Sequence, residues 1–174
     1  KEVDTDIYKS KEFIVDLTAS DSATQDMTLL KQSYSLPKGQ VVTFDPTKQQ
    51  SVKLDDGTLI SIPANAITNT GTVTLTAEPV ADLAEEADAK PLAYGYDLNT
   101  VDQTGKDLKN FNSNVTLESK YQDSWLDDST VLDETELTIG YYDTAAGTWQ
   151  ELTNCSVNKT EKTVTCQVNH FTRF

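Results

Sequence analysis

Short runs in which apolar and polar residues alternate are the feature of this sequence that most constrains its fold. In TVTLTA (72–77), Val73, Leu75 and Ala77 fall on one side of an extended chain. Successive side chains of a strand point to opposite faces, so this pattern predicts a strand with one buried face. Threonine supplies 25 of the 174 residues, and β-branched side chains favour strands. The sequence therefore predicts an all-β protein.

Turn signals separate these runs at short intervals. SVKL and TLISIP flank Asp55-Asp56-Gly57, and an Asp-Gly step between two extended runs indicates a hairpin. About ten short strands at this spacing predict an antiparallel β-sandwich with at most one short helix. The best helix candidate spans 79–91, where Ala and Glu are frequent between two prolines. The alternative for this segment is an acidic surface loop.

The alternation becomes regular only from residue 50 onward. Residues 50–174 are predicted to form the β-sandwich domain, and residues 1–49 an N-terminal arm or strand segment that serves assembly or acts as a linker. The chain starts with Lys1 rather than Met, which indicates an internal or processed fragment of a longer protein. No run approaches the roughly 18 apolar residues of a spanning helix. We therefore expect no membrane insertion by this segment.

The charge balance limits the classes of partner. The formal net charge is −14, and Arg173 is the only arginine. Nucleic-acid binding needs clustered Lys and Arg, so no nucleic-acid partner is expected. An acidic, solvated exterior that keeps an exported protein soluble explains the charge. Pairs of carboxylates are too numerous among 28 acidic residues to indicate a glycosidase.

The two cysteines fall on either side of one predicted hairpin. In TNCSVNKTEKTVTCQV, a turn centred on 159–162 pairs Val157 with Val164 and places Cys155 opposite Cys166. Directly opposed residues of an antiparallel pair lie within disulfide reach. This register predicts a cross-strand disulfide that contributes a little under about 3 kcal/mol. The alternative is a pair of free buried thiols in a cytosolic domain.

Three acceptor sequons, at Asn114, Asn154 and Asn158, are predicted glycosylation sites. Two of them, Asn154 and Asn158, lie near the predicted turn of the cysteine hairpin, where a glycan would be exposed. Disulfides persist in oxidising compartments, so both signals predict an extracellular or cell-surface location.

Two stretches resemble a known family. DDGTLISIPANAI followed by GTVTLTAEPV resembles the opening of the β-sandwich domain shared by netrin receptors, ankyrins and many microbial surface proteins. LTIGYYDTAAGTWQEL, a hairpin and VNHFTRF resemble the close of the same domain. The resemblance covers about residues 50–174, and it implies a structural β-sandwich within a larger surface protein.

A tryptophan, a cysteine pair and a His-Phe-Thr tripeptide follow one another near the end of the sequence, at Trp149, Cys155, Cys166 and 170–172. This order is similar to the proteolysis-site (GAIN/GPS) motif of adhesion receptors and polycystins. That resemblance implies His170 as the base, Thr172 as the nucleophile and Phe171–Thr172 as the scissile bond. The reaction also needs a strained peptide and an oxyanion donor. In the alternative interpretation these residues belong to a strand. If that strand continues without a bulge, His170 and Thr172 share the face of Val168, and Phe171 points the other way.

Metal and sugar sites have weaker signals. A single histidine cannot form a multi-histidine zinc site, and no metal or cofactor is expected. The acidic turns at 55–56 and 97–107 could hold calcium, but the spacing of a calcium loop is missing and solvated turns explain them better. Tyr94 and Tyr96 lie on one side of a strand, which makes that side either core or, with other Tyr and Trp residues, an exposed sugar-binding face.

These observations together predict a non-enzymatic extracellular structural or adhesion module of a larger cell-surface or filament protein. Its expected partners are neighbouring domains or subunits of a surface assembly, or further copies of the chain joined by strand addition. The alternatives are an autoproteolytic module that cleaves before Thr172 and a carbohydrate-binding module.

Overall fold

The computed structural model describes residues 36–81, 83, 92–126 and 133–174. Ten strands, one short helix and one 3-10 turn lie in these ranges. The strands are β1 (Gln40–Phe44), β2 (Gln50–Lys53), β3 (Leu59–Ile62), β4 (Val73–Val80), β5 (Gly95–Asp102), β6 (Val115–Lys120), β7 (Gly140–Asp143), β8 (Thr148–Glu151), β9 (Cys155–Asn158) and β10 (Thr163–Val168). The helix α1 spans Asp123–Leu126, and the 3-10 turn spans Glu134–Glu136. The predicted all-β class is confirmed.

The described strands form three antiparallel sheets. One sheet has the order β1-β4-β5, the second has the order β2-β3-β6-β10-β9, and β7-β8 is a hairpin. The longest ladder joins β4 to β5 from Val73–Asp102 to Val80–Gly95. Strand β1, which lies within the predicted N-terminal segment 1–49, pairs with β4 from Gln40–Ala77 to Phe44–Val73.

One apolar core lies between the two larger sheets. The buried residues of the first sheet in this core are Phe44, Val73, Leu75, Ala77, Tyr96 and Leu98. Those of the second sheet are Val52, Ile60, Ile62, Val115, Leu117 and Val168. The predicted buried face of 72–77 is thus confirmed, and the predicted sandwich arrangement follows from the shared core.

The threonines of β4 occupy the opposite face of the strand. Thr74 and Thr76 are half-buried between the buried residues of the strand. The Thr74 hydroxyl lies 3.0 Å from the Thr43 hydroxyl on β1, so the two form a cross-strand hydrogen bond. Their branched side chains stiffen the outer face, while the alternating apolar residues fill the core.

Several turns are held by an aspartate that accepts hydrogen bonds from the threonine two residues later. Asp45 Oδ1 accepts from the Thr47 amide at 3.0 Å and from the Thr47 hydroxyl at 2.6 Å. Asp102 Oδ1 does the same with Thr104, at 2.7 Å and 2.6 Å. Asp-x-Thr is therefore a recurring turn device in this chain, because a short carboxylate can satisfy turn donors that no strand partner reaches.

These turn bonds change the acidity of the carboxyl groups. The Thr135 amide, followed by the Lys159 ammonium, lowers the pKa of Asp133 from 3.8 to about 2. The Thr47 hydroxyl lowers the pKa of Asp45, and the Thr104 hydroxyl lowers that of Asp102. A hydrogen bond to the ionised form favours that form, which explains the direction of each shift.

The predicted helix over 79–91 is wrong at its start. Pro79 and Val80 are the last residues of β4, and Pro79 lies opposite Tyr96 of β5. Proline is tolerated there because β1 begins opposite Ala77, so β1 requires no donor at Pro79. Residues 82 and 84–91 lie outside the described part of the chain. Among the described residues, no helix combines the length and apolar character that crossing a bilayer requires.

The predicted cysteine hairpin is confirmed residue by residue. Strand β9 pairs with β10 so that Val157 lies opposite Val164 and Cys155 lies opposite Cys166. A disulfide joins the two cysteines, whose Cα atoms are 4.2 Å apart. The alternative of free thiols is therefore wrong. The bridge fixes β9, an edge strand among the described elements, to β10 in the interior of its sheet.

Removing the disulfide should destabilise the fold. We expect Cys155→Ala/Cys166→Ala to lower the free energy of unfolding by about 2–3 kcal/mol, because the unfolded chain gains the entropy of an open loop. Urea unfolding followed by circular dichroism measures the difference. Ser156→Ala, an exposed change on the same strand, is the control and should cost less than about 0.5 kcal/mol. An unchanged unfolding free energy in the double variant would contradict this account.

The aspartate turns should make stability depend on pH in the acid range. The lowered pKa of Asp133 belongs to the folded state, so the contribution of this carboxylate is present above about pH 4 and is lost as pH falls toward about 2. We expect Asp133→Asn to flatten the fall of the urea midpoint between these values, because the amide keeps the acceptor oxygen but no longer titrates. Asp107→Asn, an exposed carboxylate outside these turns, is the control, and equal slopes for both variants would refute the explanation.

Candidate functional site

The closing segment, defined as Asn169–Phe174, contains the residues that the sequence singled out for chemistry. Strand β10 ends at Val168, and the chain bends at Asn169 and His170. It then leaves the five-stranded sheet and runs beside β5 of the three-stranded sheet, where Arg173 forms an antiparallel bridge with Asp97. The strand therefore does not continue straight, as the strand interpretation assumed.

Main-chain hydrogen bonds hold the closing segment on both sides. Toward β5, the Tyr96 amide donates to the Phe174 carbonyl at 2.7 Å, the Phe174 amide donates to the Tyr96 carbonyl at 2.8 Å, and the Leu98 amide donates to the Thr172 carbonyl at 3.0 Å. Toward β7, the Tyr142 amide donates to the Arg173 carbonyl at 2.8 Å. The segment thus links the three-stranded sheet to the β7-β8 hairpin.

The side chains of the closing segment add contacts on both faces. Phe171 is 8% exposed, and its ring meets that of Phe111 edge to face with centroids 4.8 Å apart. Arg173 Nη2 lies 3.3 Å from Asp97 Oδ2 on the outer face of the sheet. Phe171 joins the same core as Val168, contrary to the expectation that the two point to opposite faces, because the bend intervenes.

The two residues of the proposed self-cleavage pair make separate hydrogen bonds. The Thr172 hydroxyl donates to the Tyr142 carbonyl oxygen at 3.1 Å. His170 Nδ1 lies 3.0 Å from Asn169 Oδ1, and the imidazole ring meets Tyr141 edge to face at 5.4 Å. A general base must reach the proton that it removes. The contact that the Thr172 hydroxyl makes here is with a main-chain acceptor.

Gly95 permits the close approach of the closing segment to β5. A Cβ atom at this position would lie 2.0 Å from the carbonyl oxygen of Phe174. A glycine inside a strand often marks such an approach of another backbone. Gly95 was not among the residues that the sequence marked as candidates, and Asp97 was considered only as part of an acidic turn. A glycine between two tyrosines in a predicted strand is the signal that could have indicated the close approach.

The tyrosines divide between the core and a polar contact. Tyr96 is 6% exposed and belongs to the core. Burial, followed by the negative charge of Asp56, raises the pKa of the Tyr96 phenol. Tyr94 is half-buried, and its hydroxyl donates to Asp56 Oδ2 at 2.9 Å. Their rings pack edge to face at 6.0 Å, so the predicted shared side of the strand is core at Tyr96.

The three sequon asparagines are exposed in the structure. Asn114 precedes β6, Asn154 precedes β9, and Asn158 ends β9. Asn158 Oδ1 accepts from the amides of Thr160 and Glu161, both at 3.1 Å, so its oxygen stabilises the hairpin turn. Glycosylation at these positions stays a prediction.

The acidic turns considered for calcium are occupied by local hydrogen bonds. Asp56 Oδ1 accepts from the Thr58 amide at 2.8 Å, and Asp56 Oδ2 accepts from the Thr58 hydroxyl at 3.0 Å. Asp102 Oδ1 also accepts from the Lys106 amide at 3.0 Å. In the part of the chain that the structure describes, no three His, Cys, Asp or Glu residues gather in a way that could hold a metal ion.

Comparisons of this chain with protein-family models, with curated proteins and with solved structures find no match. The resemblances drawn from the sequence motifs therefore remain predictions.

The close approach at Gly95 generates a test of the closing segment. We expect Gly95→Ala to lower the free energy of unfolding by about 1–3 kcal/mol, because the new methyl group displaces the Phe174 carbonyl. Hydrogen exchange of the Tyr96 and Leu98 amides should accelerate in the same variant. Gly140→Ala is the matched control, since its Cβ would meet Trp149 at an ordinary 3.5 Å. If both variants behave alike, the closing segment does not lie against Gly95.

Proposed function

We propose that the chain is a non-enzymatic structural module of a larger extracellular surface or filament protein, in which it holds neighbouring domains or subunits. The observation that carries this proposal is the pairing of the closing segment. Its amide and carbonyl groups bond to β5 and β7, and its Thr172 hydroxyl donates to the Tyr142 carbonyl. The residues with the strongest chemical signal in the sequence thus pair with the main chain of β5 and β7.

A location outside the cell is supported by the covalent and surface chemistry. The Cys155–Cys166 disulfide suits an oxidising compartment. The exposed asparagines of the three sequons suit the secretory route of organisms that glycosylate. The net charge of −14 supports solubility at high local concentration, as a surface assembly requires.

Strand addition at β1 is a route by which this module would join a partner. On the side away from β4, β1 has no strand partner among the described residues. Its Val41 side chain is 63% exposed, which is high for a branched apolar residue. The unpaired main-chain groups along this edge can form hydrogen bonds with an extended segment of a partner, and the exposed valine can pack against that segment.

One measurement on intact cells tests location and chemistry together. Cells that make the protein are labelled with a membrane-impermeant amine reagent, and the labelled chain is then denatured and weighed by mass spectrometry. We expect a labelled, uncut chain, with His170→Ala and Thr172→Ala processed identically to the natural protein, because neither residue has a catalytic role.

Two results would contradict the proposal in different ways. Labelling that requires cell lysis would place the module inside the cell. A fragment that ends at Phe171, present in the natural protein and lost in Thr172→Ala, would establish the self-cleavage alternative instead.

A further inference from the structure

The closing segment occupies a groove between β5 and β7, and the groove accepts an extended chain through defined contacts. We define the closing groove by Gly95, Asp97, Leu98, Phe111 and Tyr142. Main-chain groups on both walls bond to the segment, as described above. The groove is therefore a strand-binding site that is completed by residues far along the chain.

The closing groove also contacts the side chains of the segment that it binds. Phe171 enters the core beside Phe111, and Arg173 pairs with Asp97 at 3.3 Å. The Phe174 carbonyl passes over Gly95, where no larger residue fits. The groove therefore favours a four-residue segment. Its residues are, in order, an aromatic residue, a residue with a hydroxyl group, a basic residue and a second aromatic residue whose ring packs on the core.

This pattern identifies the occupant within the chain itself. Phe171-Thr-Arg-Phe174 is the one stretch of the sequence with an aromatic residue at the first and fourth positions and Arg or Lys at the third. Residues 1–35, the other source of an added strand, do not contain this pattern. A strand from another molecule of this protein that fits the groove is therefore the same closing segment.

We propose that the closing groove binds the closing segment of a second copy of this chain, so that neighbouring modules exchange these residues. This proposal deepens the proposed function by naming the partner, and it rests on that function only in taking assembly as the role of the module. Exchange replaces each contact by an identical contact, so the energetic difference is confined to association and to the bend.

The closing segment is held to its neighbours over a shorter length than β4 and β5 are held to each other. Three main-chain bonds hold it to β5, one holds it to β7, and the Phe111 amide donates to the Asn169 carbonyl at 2.9 Å. In contrast, the β4–β5 ladder joins residues over the full length of both strands, from Val73 to Val80. The segment follows a bend whose first residue, Asn169, is exposed, and a bend between two paired segments is where an exchanging chain opens.

Cysteine trapping tests the exchange. Asp97 and Arg173 lie directly opposite each other, as do the natural Cys155 and Cys166 that form a disulfide. Asp97→Cys and Arg173→Cys are placed in separate chains, one of them isotopically labelled. The chains are mixed at high concentration in urea below the unfolding midpoint, diluted and oxidised. A disulfide between the two introduced thiols, in a dimer of mixed mass, forms above the yield of random collision only if one chain's segment enters the other chain's groove.

The control mixture combines Thr76→Cys with Asn99→Cys. These residues are opposed in β4 and β5, which the proposal does not exchange. We expect at least about tenfold more mixed-mass dimer from the Asp97/Arg173 pair, because docked thiols react at a far higher effective concentration than colliding chains. The yield should rise with protein concentration.

A chain that carries both Asp97→Cys and Arg173→Cys completes the design. If it closes an internal disulfide while the mixed variants give no more dimer than the control, the groove accepts only its own chain's segment and the proposal is wrong. If the internal disulfide fails to form, the register of the groove is wrong and the proposal falls with it. Neither result bears on the cell-surface labelling or on the mass of the uncut chain, which are the two measurements that test the proposed function.

Discussion

Main-chain pairing of the closing segment is the interaction on which the described arrangement of sheets depends. The sandwich core joins the two larger sheets, but the β7-β8 hairpin reaches the three-stranded sheet through the carbonyl of Arg173 and the hydroxyl of Thr172. Without this segment, the amides of Tyr96 and Leu98 would lose their acceptors. A buried amide without a partner costs about 1–3 kcal/mol, so the groove favours occupancy strongly.

The acidic character of the chain has a structural use as well as a colloidal one. Asp45, Asp56, Asp102 and Asp133 each accept hydrogen bonds from a residue two positions later. Each is part of a connection or turn between strands or at the 3-10 turn, where main-chain donors lack ladder partners. A carboxylate in such a turn accepts more strongly when ionised, so the negative charge and the turn geometry support each other. Part of the charge that suggested calcium thus stabilises tight turns.

The fold class and the local hairpins could be predicted from the sequence, and the crossing of the chain from one sheet to the other could not. The cysteine hairpin was predicted to the residue, because its register follows from a short turn and from matching Val157 with Val164. The bend after Val168, at which the chain passes to the other sheet, could not be predicted. The alternation of side chains gives no information about such a bend. The helix over 79–91 was misjudged at Pro79 for a similar reason, because only the position of β1 makes proline acceptable in β4.

The same limit applies to the candidate site. The order of His170, Phe171 and Thr172 suggested a base, a scissile bond and a nucleophile. Whether these groups can react depends on side chains and main-chain groups that the fold places next to them from distant parts of the sequence. Tyr142 supplies the acceptor for the Thr172 hydroxyl, and Tyr141 packs on the imidazole. A hydroxyl group that donates to a main-chain carbonyl must break that bond before its proton can pass to an imidazole. The contact that ties the closing segment to β7 therefore also opposes the first step of self-cleavage.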